Sequence, residues 1–444
     1  MARDGWVGRS RRWLAVPALG AALLAEQAAA AAAPLTVDKG DTAWMLVSTL
    51  LVLLMIVPGL ALFYGGLVRA KNLLSIFSQV IGITALAILV WIGWGYSLAF
   101  APGTALIGGL DKAGLAAIGP DVLVATFTPG RGLPELVFVA FQMTFAAITA
   151  ALIVGGLAER VKFSAIMLFS LLWLTIVYAP LAHMVWAPDG LIFGMGALDF
   201  AGGTVVHVNS GIAGLVGVWF AGARIGFLRE AMAPHSLALS LVGAGLLWVG
   251  WFGFNAGSAL EANGVAGIAM INTFVAPAAG ILAWMGMERL RAGKPSLLGG
   301  ASGAIAGLVG VTPAAGLSGP LGAVLLGVGS ALACYMFIAM AKHRLRLDDS
   351  LDVFGIHGLG GIVGSIGTGM VSAPWLGGHG AEDYSILSQT MVQIGAVLIA
   401  IAWSAAGSAL CFLVVKLTIG LRHAEEAERD GLDLSDHGER AYNL

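Results

Sequence analysis

Two histidines are the residues of this chain best suited to chemistry. His207 ends the run Asp199-Phe-Ala-Gly-Gly-Thr-Val-Val-His207, and His357 ends the run Asp349-Ser-Leu-Asp-Val-Phe-Gly-Ile-His357. Each follows an aspartate by eight residues. Aligned on the histidines, Gly211, Ile212, Gly214 and Gly217 match Gly361, Ile362, Gly364 and Gly367. Imidazole titrates at about pH 6.5, and burial favours its neutral form, so a buried pair is mostly neutral at pH 7. Such a pair can share one N–H···N hydrogen bond and turn its other ring nitrogens to a lumen. That surface suits a small polar molecule and, transiently, a proton. It suits a bare alkali cation poorly, because no ring of carbonyls or carboxylates replaces the lost water. A satisfied structural histidine is the simpler account of either residue alone, but a less natural one for a duplicated pair.

The elements that must position these residues are membrane helices. The chain has 444 residues, 58% hydrophobic and 11% charged, with a mean hydropathy of +0.90. Soluble domains carry about 25% charged residues, so the composition is that of an all-α polytopic membrane protein. A net charge of −2 offers no basic field for nucleic acid. Cys334 and Cys411 lie in apolar stretches and read as free thiols acting as small hydrophobes. No metal-ligand or redox spacing is present, and no cofactor is expected.

Residues 1–33 resemble a cleaved signal peptide. Arg9, Arg11 and Arg12 precede an apolar stretch from Trp13 to Leu24, followed by an alanine tract with cleavage expected between Ala28 and Ala33. The stretch is too short for a span, which needs about 20 residues. Within 34–420, eleven spans are expected at about 42–68, 73–100, 134–158, 162–187, 199–223, 235–258, 262–287, 296–316, 319–341, 351–373 and 385–419. Arg69/Lys71, Arg160/Lys162, Arg224/Arg229, Arg289/Arg291/Lys294, Lys342/Arg344/Arg346 and Lys416/Arg422 all fall on one side. The other side holds only Lys39, Lys112 and Arg131 among its cations. The positive-inside rule makes the first side cytoplasmic, with the N-terminus outside and the C-terminus inside.

An odd number of spans fits two five-helix halves, about 42–223 and 235–373, plus an extra helix at about 385–419. The fifth span then runs inward and the tenth outward, so the repeated motif marks an inverted repeat. Eight helical residues at about 1.5 Å each would set each histidine roughly 12 Å from its own face of a core about 30 Å thick. The two can then meet near the middle. The 64 glycines, as in Gly211-Ile-Ala-Gly214 and Gly299-Gly300-Ala-Ser-Gly303, let helix backbones approach closely.

Aromatics accompany the histidines. The third span carries Phe141-Gln-Met-Thr-Phe145, the fourth ends in His183-Met-Val-Trp186, and the sixth ends in Trp248-Val-Gly-Trp251-Phe252-Gly253-Phe254-Asn-Ala-Gly-Ser258. Aromatics at helix ends commonly anchor the membrane interface. Their faces also bind small cations, at about 0.5–2 kcal/mol. A nearby hydroxyl such as Ser258 could accept a hydrogen bond from one.

The runs from Asp199 to His207, Phe254-Asn-Ala-Gly-Ser258, Gly156-Leu-Ala-Glu-Arg160 and Asp348-Asp-Ser-Leu-Asp352-Val-Phe-Gly-Ile-His357 resemble the ammonium transporter (Amt/Mep/Rh) family, bacterial Amt type. So does the tail Gly431-Leu-Asp-Leu-Ser-Asp-His437-Gly-Glu439-Arg-Ala-Tyr442, and the likeness runs from about residue 40 to the end. The resemblance implies a homotrimer of eleven-helix subunits in the cytoplasmic membrane, each with its own hydrophobic pore for ammonium or ammonia. It implies an outer recruitment site of Trp186, Ser258 and Phe145, and a gate of Phe145 and Phe254. It further implies a pore and proton relay at His207 and His357, flanked by Phe141 and Trp251. Asp199 reads either as a helix cap or as a source of negative potential at the mouth. Asp349 and Asp352 read as caps. The tail, 421–444, is by composition a solvated end; the resemblance implies an ordered cytoplasmic segment that couples subunits and faces a P-II-type regulator. Alternatives are a Rhesus-type neutral ammonia channel and an ammonium sensor. An enzyme is not expected, because the polar residues pair no nucleophile with a base.

Overall fold

The structure is a computed structural model that describes residues 34–381 and 383–442. The signal peptide expected at 1–33 lies outside the described residues. Among the described residues, eleven helices are long and apolar enough to cross a membrane. They are α1 (Lys39–Leu67), α2 (Ala70–Phe100), α3 (Glu135–Leu157), α4 (Phe163–Gly194), α5 (Gly203–Ala221), α6 (Leu237–Gly257), α7 (Gly264–Ala292), α8 (Leu297–Ala314), α9 (Pro320–Lys342), α10 (Phe354–Val371) and α11 (Ile386–Thr418). In hydrocarbon every backbone polar group must be bonded internally, so an apolar chain of this kind spans as helices. Three short strands, β1 (Thr36–Val37), β2 (Leu123–Ala125) and β3 (Arg131–Pro134), form a small sheet in the order β1-β3-β2. It lies on the side of the bundle that bears Trp186. The tail lies on the opposite side.

The expected spans coincide with these helices to within seven residues at every end, the largest offset being at the end of α4, and the offsets at two helix starts are informative. α5 and α10 start at Gly203 and Phe354 rather than at about 199 and 351. The eight residues from aspartate to histidine are therefore not continuous helix. Asp199 folds back beside the first turn and accepts N–H bonds from Gly202, Gly203, Thr204 and Val205 at 2.6–3.2 Å. Asp349 does the same for Val353, Phe354 and Gly355 at 2.7–3.3 Å. A helix starting in protein interior leaves its first N–H groups without intrahelical partners, and each carboxylate supplies those partners. The chain reaches each cap through a left-handed residue five before the histidine: Gly202 at φ +109° and Asp352 at φ +59°. Both histidines then fall in wide π-helical first turns, Gly203–Val208 and Phe354–Gly358.

Asp352 is not a side-chain cap. Its carboxylate pairs with Lys342 at 2.8 Å. Asp349 already fills the fan of N–H groups, and the left-handed backbone at Asp352 turns its own side chain away.

Helices α5 and α10 cross with their backbones in contact. A Cβ on Gly211 would lie 2.2 Å from the Gly358 Cα, and one on Gly361 would lie 2.9 Å from the His207 Cβ. The contact is reciprocal, since each glycine follows its own histidine by four residues and meets the other helix at or next to its histidine. Cys334 and Cys411 are buried free thiols. We expect Gly211→Ala to cost about 1–3 kcal/mol through forced separation of the helices. Gly245→Ala, where nothing lies within 4 Å of the added carbon, should stay within about 0.5 kcal/mol. Thermal melts of the detergent-solubilised protein compare the two.

Candidate functional site

The residues singled out by sequence form one column. At its mouth a cavity of about 530 Å³ is lined by Phe141 and Phe145 of α3, Trp186 of α4, Asp199 and Ser258. Trp186 stands edge-on to Phe145, with ring centroids 5.9 Å apart, and its indole N–H donates to the Asp199 carbonyl at 3.0 Å. The Ser258 hydroxyl donates to the Phe254 carbonyl at 2.8 Å, so its lone pairs remain free to accept. Phe141 packs on Phe145 at 4.9 Å. The Asp199 carboxylate caps α5, the first of the two readings made of it, and the residue also lines the mouth.

Below the mouth the Phe145 and Phe254 rings stack at 4.2 Å and 13°. Phe254 lies 6.0 Å from the His207 ring, and Trp251 stacks on that ring at 5.6 Å and 26°. His207 Nδ1 is 3.2 Å from His357 Nδ1, with the rings 5.3 Å apart and 24° from parallel. Facing Nδ1 atoms constrain the tautomers: in a neutral pair one ring carries the proton on Nδ1 and the other on Nε2. The pair therefore has one outward donor and one outward acceptor. Both rings border an enclosed space of about 10 Å³, walled by Met55, Leu60, Leu152, Leu247, Phe254 and Ile305. That is the size of a single water-sized molecule.

Sequence reasoning missed two supports. Trp251 is buried and donates through its indole N–H to the Thr312 hydroxyl at 2.9 Å, which donates in turn to the Leu308 carbonyl at 2.8 Å. A buried indole needs such a partner, so one was implied; only its position was hidden. The second support is a charged cluster on the tail side. Glu159 pairs with Arg69 at 2.8 Å and with Arg224 at 3.2 Å, and Arg224 holds Asp348 at 2.7 Å. Arg160, fully buried, donates to the Gly156 and Asp348 carbonyls at 2.9 Å. Glu159, Arg160 and Asp348 lie in the Gly156–Arg160 and Asp348–Asp352 motifs, Arg69 and Arg224 in neither, and nothing in the spacing of these residues pairs them. Burial alone would raise the Glu159 and Asp348 carboxyls. The adjacent guanidiniums, chiefly Arg224, reverse this and hold both below the usual carboxylate range. Asp349 has no cation bonded to it, and burial with the nearby Asp352 pushes it up to about 6.

The tail is ordered against this cluster, with α12 at Glu425–Asp430 and α13 at Leu432–His437. Asp433 accepts the Ser75 N–H at 2.8 Å and Asp436 accepts the Phe163 N–H at 3.1 Å, so tail aspartates cap the starts of α2 and α4. Arg422 pairs with Glu428 and donates to the Ala221 and Ala223 carbonyls at the end of α5.

A family profile described as the Ammonium Transporter Family matches residues 43–442. The chain belongs to the ammonium transporter family. Its family is one of transporters and not of enzymes. The chain is 45% identical over 407 residues to an ammonium transporter of Aquifex aeolicus, covering 92% of this chain and 94% of that one. A crystal structure of Saccharomyces cerevisiae Mep2 superposes with a TM-score of 0.79 at 34% identity, covering 88% of each chain. A sensor Amt protein superposes with a TM-score of 0.81 at 27% identity, covering 90% of this chain and 98% of the other.

The charged cluster makes stability depend on pH in one direction. Carboxyls held below their unfolded values stabilise the fold above those values, and the contribution is lost as pH falls through the depressed folded values. The melting temperature should therefore hold near neutrality and fall below about pH 4. Arg224→Leu strands the Asp348 carboxylate and removes one of the two cations on Glu159, side chains that are each 1% exposed, and should cost about 3–5 kcal/mol at pH 7. The same variant should flatten the acid limb of the melting curve.

Proposed function

We propose that this protein carries ammonium across the cytoplasmic membrane and conducts it through its pore chiefly as ammonia. The observation that carries the reading is the 3.2 Å contact of His207 and His357 beside a space of single-molecule size, beneath the Phe145–Phe254 stack. In this reading ammonium is captured by the faces of Trp186 and Phe145 and by the free lone pairs of Ser258. It loses one proton near the aromatic gate; the resulting ammonia passes the gate and the histidine pair. The proton crosses separately along the imidazoles, whose one donor and one acceptor nitrogen suit a relay, and rejoins ammonia on the far side. Potassium is close to ammonium in size, so a sieve cannot separate them. Ammonium donates directional hydrogen bonds and can shed a proton. Potassium can do neither and would enter the apolar column stripped of water.

The matched caps, the left-handed residues at equivalent positions and the reciprocal glycine contacts support two inverted halves, 42–223 and 235–373. The cation-rich loops gather on the tail side, which supports a cytoplasmic tail and an external mouth. We extend the reading to a homotrimer, to a tail that couples neighbouring subunits and to a P-II-type regulator docking on the tail side, all by family likeness. Residues 1–33 complete it as a cleaved signal peptide. The likeness to a sensor Amt protein favours one second reading, in which the same site detects ammonium and turnover is incidental. A Rhesus-type neutral channel is the remaining alternative.

Purified protein in liposomes tests these readings together. Electrogenic transport gives a current under an ammonium gradient and none under a potassium gradient. A neutral channel alkalinises the lumen without current, and a sensor shows little of either. Replacing both His207 and His357 with leucine should abolish the ammonium current; an unchanged current and selectivity would refute the relay.

A further inference from the structure

His183 is fully buried in the last turn of the Ala179–Trp186 segment of α4, where the helix breaks at the extended residue Ala187. Its Nδ1 lies 3.0 Å from the Ala99 carbonyl oxygen, and its Nε2 lies 2.7 Å from the Thr104 carbonyl oxygen. A carbonyl can only accept, and a neutral imidazole donates from one nitrogen alone. Either neutral tautomer would press a ring lone pair against a carbonyl lone pair at one of those distances. Only the imidazolium donates to both.

The surroundings suit a cation. The last turn of a helix presents the negative end of its dipole. Asp189 places Oδ1 3.6 Å from Nε2, while its Oδ2 accepts the Gly103 N–H at 3.0 Å. Asp189 is the one acid within 4 Å of the ring among the described residues. The Ala99 carbonyl ends α2 and the Thr104 carbonyl belongs to the segment that leaves it, and Leu191 beyond Trp186 donates its N–H to the Ala105 carbonyl of that segment at 2.8 Å. The same stretch puts Phe100 and Lys112 into the wall of the mouth cavity.

We propose that His183 is a resident imidazolium and a positioning residue for the mouth. It ties the 99–104 segment to the helix end that presents Trp186. The functional half of this proposal rests on the reading of Trp186 as part of the recruitment site.

Solid-state NMR of the full-length protein in lipid bilayers tests the charge without any variant. Ala182-His183 is the chain's single Ala-His pair, so carbonyl-labelled alanine with uniformly 13C,15N-labelled histidine selects the backbone nitrogen of this residue, from which the signal is relayed to its ring. Protonated signals from both ring nitrogens at pH 7 are expected; one neutral tautomer overturns the proposal. Uptake of methylammonium into liposomes tests the positioning. His183→Asn retains a donor for only one of the two carbonyls. It should raise the half-saturating methylammonium concentration about tenfold with the maximal rate preserved. No change in half-saturation, or an equal loss of maximal rate, overturns the positioning role. Trp186→Leu is the companion variant. If it leaves half-saturation unchanged the recruitment reading falls, while the NMR result still decides the charge.

Discussion

Two helices can bring imidazoles into hydrogen-bonding contact inside an apolar bundle only if their backbones touch. That constraint governs the centre of this protein. With any side chain at Gly211, the α5–α10 crossing would have to open by more than an ångström, because the atom it meets is backbone and cannot rotate away. The crossing also falls at the first turn of each helix, where N–H groups have no intrahelical acceptors. Asp199 and Asp349 meet that need with carboxylates bonded to several N–H groups at once. The aspartate, the histidine and the glycine four residues later are thus one device used twice. The aspartate lets the helix begin, the wide turn carries the ring, and the glycine lets the other copy approach.

Much of this was legible in the sequence because the signals were local and repeated. Eleven hydrophobic runs, the alternation of loop charge and the duplicated Asp-to-His spacing each depend on residues close together in the chain. The histidine contact was expected from two equal spacings, although the continuous helical rise assumed for them does not hold, since the helices begin only at Gly203 and Phe354. The role of Asp352 could not be inferred. Its spacing resembles that of a cap, and only the left-handed backbone and the reach of Lys342 remove it from that role. Equally hidden was the equivalence of Gly202 and Asp352, which share a backbone conformation but not a side chain. The Glu159–Arg224–Asp348 cluster draws on three separate loops, and one-dimensional spacing carries no trace of such pairing.

Polarity is divided sharply along the column. Its middle offers two imidazoles among aliphatic and aromatic walls, with room for one small molecule. Its mouth offers aromatic faces, the Ser258 hydroxyl with free lone pairs and a carboxylate already committed to N–H donors. Its far end is crowded with paired charges. A cation that keeps its charge meets steadily poorer solvation on the way in, and nothing in the middle replaces its water. A species that can leave its charge behind meets no such penalty. In the proposed reading, ordering the polar groups in this way converts the ability to lose a proton into selectivity, where size alone would fail.

The far end also explains why the tail is fixed rather than loose. A segment of mixed acids and bases has little apolar surface to bury and would ordinarily stay solvated. Here its aspartates find the unpaired N–H groups at the starts of α2 and α4, and Arg422 finds the terminal carbonyls of α5. Helix ends left bare by the membrane segments are completed by the tail, and each such bond is charge-assisted. The tail therefore touches the far end of the helix that carries His207. Through Arg160, whose carbonyl accepts the His423 N–H and whose guanidinium reaches Asp348, it also reaches the loop that caps the helix of His357. Displacing the tail would strip caps from two helices at once, and covalent continuity with a short run of hydrogen bonds joins its docking site to the column.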